Sequence, residues 1–78
     1  MKKLLVFSGL DENLFQSLQS LDLGIEMDNI DINKNISFTN SYDIKKIPTL
    51  ILLKDGVEIG RKAGSLVLEN IQQFILTE

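Results

Sequence analysis

Apolar residues follow two rhythms along this chain. Residues 2–7, KKLLVF, carry four apolar side chains in an unbroken run closed by Ser8-Gly9. A run that short, rich in strand formers, predicts a strand buried on both faces. The rhythm then changes. In LDENLFQSLQSLDL, Leu14, Phe15, Leu18 and Leu21 recur at helical spacing while Glu12, Gln16, Gln19 and Ser20 stay polar, which predicts an amphipathic helix. Asp11 stands where a helix is capped, its carboxylate able to accept from an orphan N–H, and Leu10 stands where it packs on Phe15 as a staple. Gly24 ends the helical region. IEMDNIDI then alternates as a second strand, with Met27 on one face, Ile30 and Ile32 on the other, and three acids between them.

NKNISFTNSYDIKK predicts a short helix over residues 37–42, with Ile36, Phe38, Tyr42 and Ile44 as its apolar side, although Asn, Ser and Thr compete for the backbone there. TLILLK is a buried strand, DG a hairpin turn, and VEIGRKA the returning strand, with Val57, Ile59 and Arg61 expected on one face. Ser65 is a cap for LVLENIQQFILTE, whose stripe is Val67, Ile71, Phe74 and Ile75. The order is β-α-β-α-β-β-α, with no internal repeat or linker. Covered sheet faces and a right-handed crossover then predict a single α/β domain over residues 1–78. It is a four-stranded mixed sheet with the first and last helices on one face and the middle helix on the other.

Composition narrows the chemistry. With 78 residues, 44% hydrophobic and 24% charged, the chain falls in the globular range. Eight basic against eleven acidic residues give a net charge of -3, and the adjacent cations (Lys2-Lys3, Lys45-Lys46, Arg61-Lys62) are scattered, so a nucleic-acid surface is not expected. No apolar stretch is long enough to span a membrane, and MKKLLVFSGL is too briefly apolar for a signal peptide, so a cytoplasmic, monomeric protein is expected. The bias toward Lys, Asn, Ile and Leu, with one Pro and no Trp, is that of a low-GC genome, bacterial or viral. There is no histidine and no cysteine, which removes the commonest general base and every thiol.

Residues 42–64, YDIKKIPTLILLKDGVEIGRKAG, resemble the second half of a thioredoxin. The approach NIDINKN, the Ile47-Pro48-Thr49 step, the apolar strand, the DG turn and Gly64 before the last helix stand in the thioredoxin order, and the element order matches the minimal thioredoxin fold at glutaredoxin-like length. The resemblance implies a cis Ile47–Pro48 bond beside a groove in which an extended peptide pairs with exposed backbone. It also implies one surface from three loops: Ser8, Gly9, Leu10 and Asp11; Lys46, Ile47 and Pro48; Ala63 and Gly64. Where the family keeps Cys-x-x-Cys this chain has FSGLDENLF, and no alignment supplies a sulfur nucleophile.

Other constellations are weaker. Asp31-x-Asn33-x-Asn35 has the opening spacing of a calcium loop, but the sixth position is Ile36 and the twelfth Tyr42, so the asparagines are turn formers and no metal is expected. Alternation sends Asp31 to the opposite face from Glu26 and Asp28, against a carboxylate cluster. The leading expectation is a redox-inactive, non-enzymatic module, of phage or bacterial origin, that binds a protein or peptide partner through the cis-proline groove and needs no cofactor. Lys45 and Lys46 beside the proline would meet an acidic peptide or a glutathione carboxylate, or stand as ordinary surface residues. Two alternatives stand beside it: a glutathione-binding, transferase-like domain using Ser8 as its hydroxyl, and an assembly subunit that uses no groove.

Overall fold

Four strands and three helices make up the computed structural model, which describes residues 1–9, 13–21, 24–64 and 68–77. They are β1 (Lys2–Ser8), α1 (Asn13–Ser20), β2 (Glu26–Asp31), α2 (Ile36–Ser41), β3 (Thr49–Lys54), β4 (Val57–Ala63) and α3 (Leu68–Thr77). The sheet order is β2-β1-β3-β4. β1 and β2 pair in parallel and the other neighbours are antiparallel, giving the mixed sheet of a minimal thioredoxin fold.

Each face of the sheet has its own core. Leu4, Val6, Leu50 and Leu52 pack with Leu18 of α1 and Ile71, Phe74 and Ile75 of α3, with Leu14, Phe15 and Leu21 completing the helical stripe. Full burial of such side chains contributes roughly 1.5–3 kcal/mol each, which makes this face the main source of stability. The opposite parity, Leu5, Phe7, Ile51 and Leu53, packs with Ile30, Ile32, Tyr42 and Ile44 beneath α2. Phe7, Phe38 and Tyr42 form an aromatic triad there, with ring centroids 5.3 to 5.9 Å apart. Lys2 donates to the Ile75 carbonyl at 3.2 Å, satisfying an acceptor in the last turn of α3. Among the described residues no helix is long and apolar enough to cross a membrane.

The hairpin turns as expected, with Asp55 and Gly56 both at positive φ (53° and 84°), the conformation that matches the twist of the flanking strands. The Asp55 carboxylate meets the N-terminal amine, which holds its pKa below the ordinary aspartate value. Three expectations need correction. The middle helix starts at Ile36, one residue early, and its buried position is Thr39, while Ile36 is exposed, because the short helix turns a polar face inward. β1 continues through Ser8 instead of closing before it.

The third correction concerns β4. Leu52 pairs with Gly60 and Leu53 with Glu58, so Ile59 and Gly60 share one place in the ladder as a bulge. Ile59 packs on the α1/α3 core, but the bulge resets the alternation and Arg61 emerges on the α2 face. There Arg61 donates to the Tyr42 carbonyl at 3.0 Å and twice to Glu58, at 2.7 and 2.8 Å. The glycine inside VEIGRKA was the signal for this. Arg61 holds the Glu58 carboxyl below the ordinary glutamate range, so this pair stabilises the fold above the unfolded glutamate pKa and loses that contribution as pH falls through the lower folded value. Being surface-exposed in part, it contributes at most about 1 kcal/mol. Urea midpoints at pH 7 and pH 3 should therefore differ by less in Arg61→Met than in the native chain.

Candidate functional site

Sheet register builds one pole of the molecule from three separate segments. Phe7 lies opposite Thr49, and Thr49 lies opposite Ala63. The chain that leaves β1 at Ser8-Gly9, the chain that enters β3 through Lys46-Ile47-Pro48, and the chain that leaves β4 at Ala63-Gly64 therefore meet. Two contacts fix them. The Gly64 N–H donates to the Pro48 carbonyl at 3.1 Å, and a β-carbon added to Gly9 would stand 3.1 Å from Ile47 Cδ1. Gly9 is thus a close-approach glycine, and Gly64, at φ 86°, a conformational one.

The Ile47–Pro48 peptide bond is cis. The Thr49 hydroxyl donates back to the Lys46 carbonyl, closing a tight loop around Ile47. Ile47 itself is 46% exposed, and among the described residues neither its N–H nor its C=O makes a hydrogen bond. An exposed apolar side chain with open backbone donors and acceptors on both sides is the surface on which an extended peptide pairs. Lys46 is exposed and among the described residues makes no ion pair, whereas Lys45 reaches Asp43 at 3.7 Å.

Ser8 is not presented in this way. It is 4% exposed and donates to Asn29 Oδ1 of β2 at 3.1 Å, a partnership that parallel register makes but linear sequence does not announce. A hydroxyl that activates glutathione would have to face solvent, so this geometry gives the transferase-like alternative no support. Leu10 and Asp11 lie outside the described residues, as do Ser65 and Val67. The Asp31-Asn33-Asn35 stretch forms turns, as Asp31 accepts from the Asn33 N–H and the Asn35 side chain donates to the Asp31 carbonyl. Among the described residues no group of carboxylates could hold a metal.

Two of the paired cations come near one carboxylate, Asp43: Lys45 through its ion pair and Arg61 electrostatically. Lys3 bridges Glu26 at 3.5 Å and Asp28 at 2.8 Å, and the bond to Asp28 raises its pKa. Lys62 lies 5.7 Å from the Phe74 ring centroid, on the other face from Arg61. A groove of about 450 Å³ opens between β4 and α3, lined by Lys62, Asn70, Gln73 and Phe74 among others. It includes none of Gly9, Ile47 and Pro48.

Against known proteins, the thioredoxin family model matches residues 8–77. A thioredoxin of Chlamydia pneumoniae is 40% identical over 53 residues, 68% of this chain and 48% of that protein. The chain thus spans about half the length of the curated relative it matches. Among solved structures, thioredoxin-2 of a malaria parasite superimposes with a TM-score of 0.86 over 100% of this chain and 84% of its own, at 23% identity. Thioredoxin 1 of Thermosipho africanus does so with 0.84 over 95% and 90%, at 21% identity. Identities this low speak for the fold alone.

Proposed function

The chain belongs to the thioredoxin family, and we propose that it is a member that has kept the peptide groove and lost the thiols, a redox-inactive module that grips a protein partner without a covalent step. The observation that carries this is Ile47: apolar, exposed, its main-chain groups without a hydrogen bond among the described residues, and next to a cis proline whose carbonyl accepts from the Gly64 N–H. Thiol–disulfide exchange needs a thiolate, and these 78 residues hold no cysteine. Without a covalent intermediate, affinity rests on main-chain pairing beside Ile47, on apolar contact with Ile47 and Pro48, and on the charge of Lys46. The composition suits a low-GC bacterial or phage source, and the reading places the protein in the cytoplasm as a monomer.

Two measurements test the reading. Insulin-disulfide reduction by dithiothreitol should proceed no faster with the protein than without it, in a preparation shown free of host thioredoxin. Titrating the ¹⁵N-labelled protein with a panel of extended, cysteine-free peptides should shift the amides of Gly9, Lys46, Ile47 and Gly64. Shifts confined to the outer face of α3, around residues 70–73, would instead support an assembly subunit.

A further inference from the structure

The helices on the two faces of the sheet are secured unequally. On one face, Leu18 of α1 and Ile71, Phe74 and Ile75 of α3 are buried apolar anchors. On the other, α2 has six residues and the one it buries is Thr39. The Thr39 hydroxyl is enclosed and among the described residues has no hydrogen-bond partner, a cost that an apolar side chain of the same shape would not carry. The apolar residues of α2 lie largely in solvent. Ile36 is 63% exposed and Phe38 42%, so the helix's own apolar hold on the sheet is the half-open stack of Phe38 on Phe7. Its ends are weak as well. Asn35 makes no side-chain cap bond, and no acid stands in the first turn and no base in the last. The chain then leaves through Asp43 at φ 55°, a left-handed conformation that favours glycine.

Hydrogen bonding in this segment closes on itself. The Thr39 N–H donates to the Asn35 carbonyl, the Tyr42 N–H to the Thr39 carbonyl and the Asp43 N–H to the Asn40 carbonyl. Among the described residues the hydrogen bonds that lead out of residues 35–44 are two exposed ones, from Asn35 Nδ2 to the Asp31 carbonyl and from Arg61 to the Tyr42 carbonyl. A segment bonded within itself, with a polar inward face, opens at less cost than the elements around it. We propose that residues 35–44 form a lid over the smaller core, opening as one unit while the sheet, α1 and α3 stay folded, and that Thr39 sets how often it opens. Opening takes Phe38 and Tyr42 from the Phe7 ring and uncovers Phe7 together with Leu5 and Ile51. The loop at Ile47 keeps its place, because the Thr49–Lys46 and Gly64–Pro48 hydrogen bonds lie beyond residue 44. The lid is therefore independent of the groove and of what the groove binds.

Amide hydrogen exchange of the ¹⁵N-labelled protein, measured at several urea concentrations below the unfolding midpoint, tests this. After correction for intrinsic rates, the Thr39, Tyr42 and Asp43 amides are expected to exchange at least a hundredfold faster than those of Leu5 and Val6 in β1. They should share one urea dependence, smaller than that of the β1 amides. Thr39→Val keeps the shape and removes the unpaired hydroxyl, and should slow all three amides about tenfold. Equal protection of the two groups would overturn the proposal, since α2 would then open only with the whole fold. So would exchange at the three amides that ignores urea, the mark of small fluctuations, or a Thr39→Val chain in which their rates are unchanged or raised. Should that variant fail to fold by its amide spectrum, the exchange pattern of the native chain still decides.

Discussion

Phe7→Ala is expected to remove about 3–5 kcal/mol of stability, the usual cost of emptying a buried phenylalanine site. Phe7 is fully buried in the smaller core beside Leu5, Ile51 and Leu53, and its ring meets both Phe38 and Tyr42. A chain of 78 residues has about 4–12 kcal/mol in total at ordinary stability per residue, so the variant should lie near its unfolding transition already in dilute buffer. The check is urea denaturation followed by circular dichroism, beside Val57→Ala at a position 64% exposed, where the change should stay within about 0.5 kcal/mol. A midpoint for Phe7→Ala within 1 kcal/mol of the native chain would mean that the α2 face contributes far less than its packing indicates.

Much of this architecture could be read from residue order because its signals are local. Leu14, Phe15 and Leu18 declare a helix by spacing alone, and Asp55-Gly56 declares a hairpin by its φ requirement. Where tertiary context decides, residue order falls short. Alternation assigns Arg61 to the face of Ile59, and the bulge moves it to the other. Thr39, not Ile36, is buried in α2, because a six-residue helix rich in Asn, Ser and Thr takes its orientation from what it covers. At the groove, Pro48 and Gly64 were legible through resemblance to the thioredoxins. The Gly9–Ile47 approach and the Ser8–Asn29 hydrogen bond join residues far apart in sequence, and nothing near either partner announces them.

Gly64→Val is expected to cost about 2 kcal/mol and to abolish the peptide response at Ile47. Among the described residues nothing lies within 4 Å of a β-carbon added to Gly64, so the effect is conformational and not a clash. At φ 86° an L-residue loses about 1–2 kcal/mol, and a β-branched one more. If the backbone relaxes out of that region, it gives up the N–H donation to the Pro48 carbonyl, and the loop carrying Ile47 loses its tie to β4. Gly64→Asn serves as the control, because asparagine tolerates the left-handed region, and it should retain most of both stability and binding. If Gly64→Val keeps its urea midpoint and still shifts Ile47 on titration, the hydrogen bond to Pro48 does not hold the groove.

The bulge at Ile59 and Gly60 gives β4 an asymmetric response to insertion and deletion. Two residues there occupy one place in the ladder, so removing either would restore even alternation and leave the downstream pairs, from Arg61 with Ile51 to Ala63 with Thr49, on the faces they already have. Removing Arg61 instead would turn Lys62 away from Phe74 and bring the chain to the Ala63-Gly64 corner one residue short. Exchanging Gly60 for another small residue leaves that count intact. Adding residues at the Asp55-Gly56 turn, outside the ladder, changes only the loop that joins two strands already in register. Natural variation in length is thus expected at the turn and at the bulge, whereas the spacing from Arg61 to Gly64 is under tighter constraint than the residues that fill it.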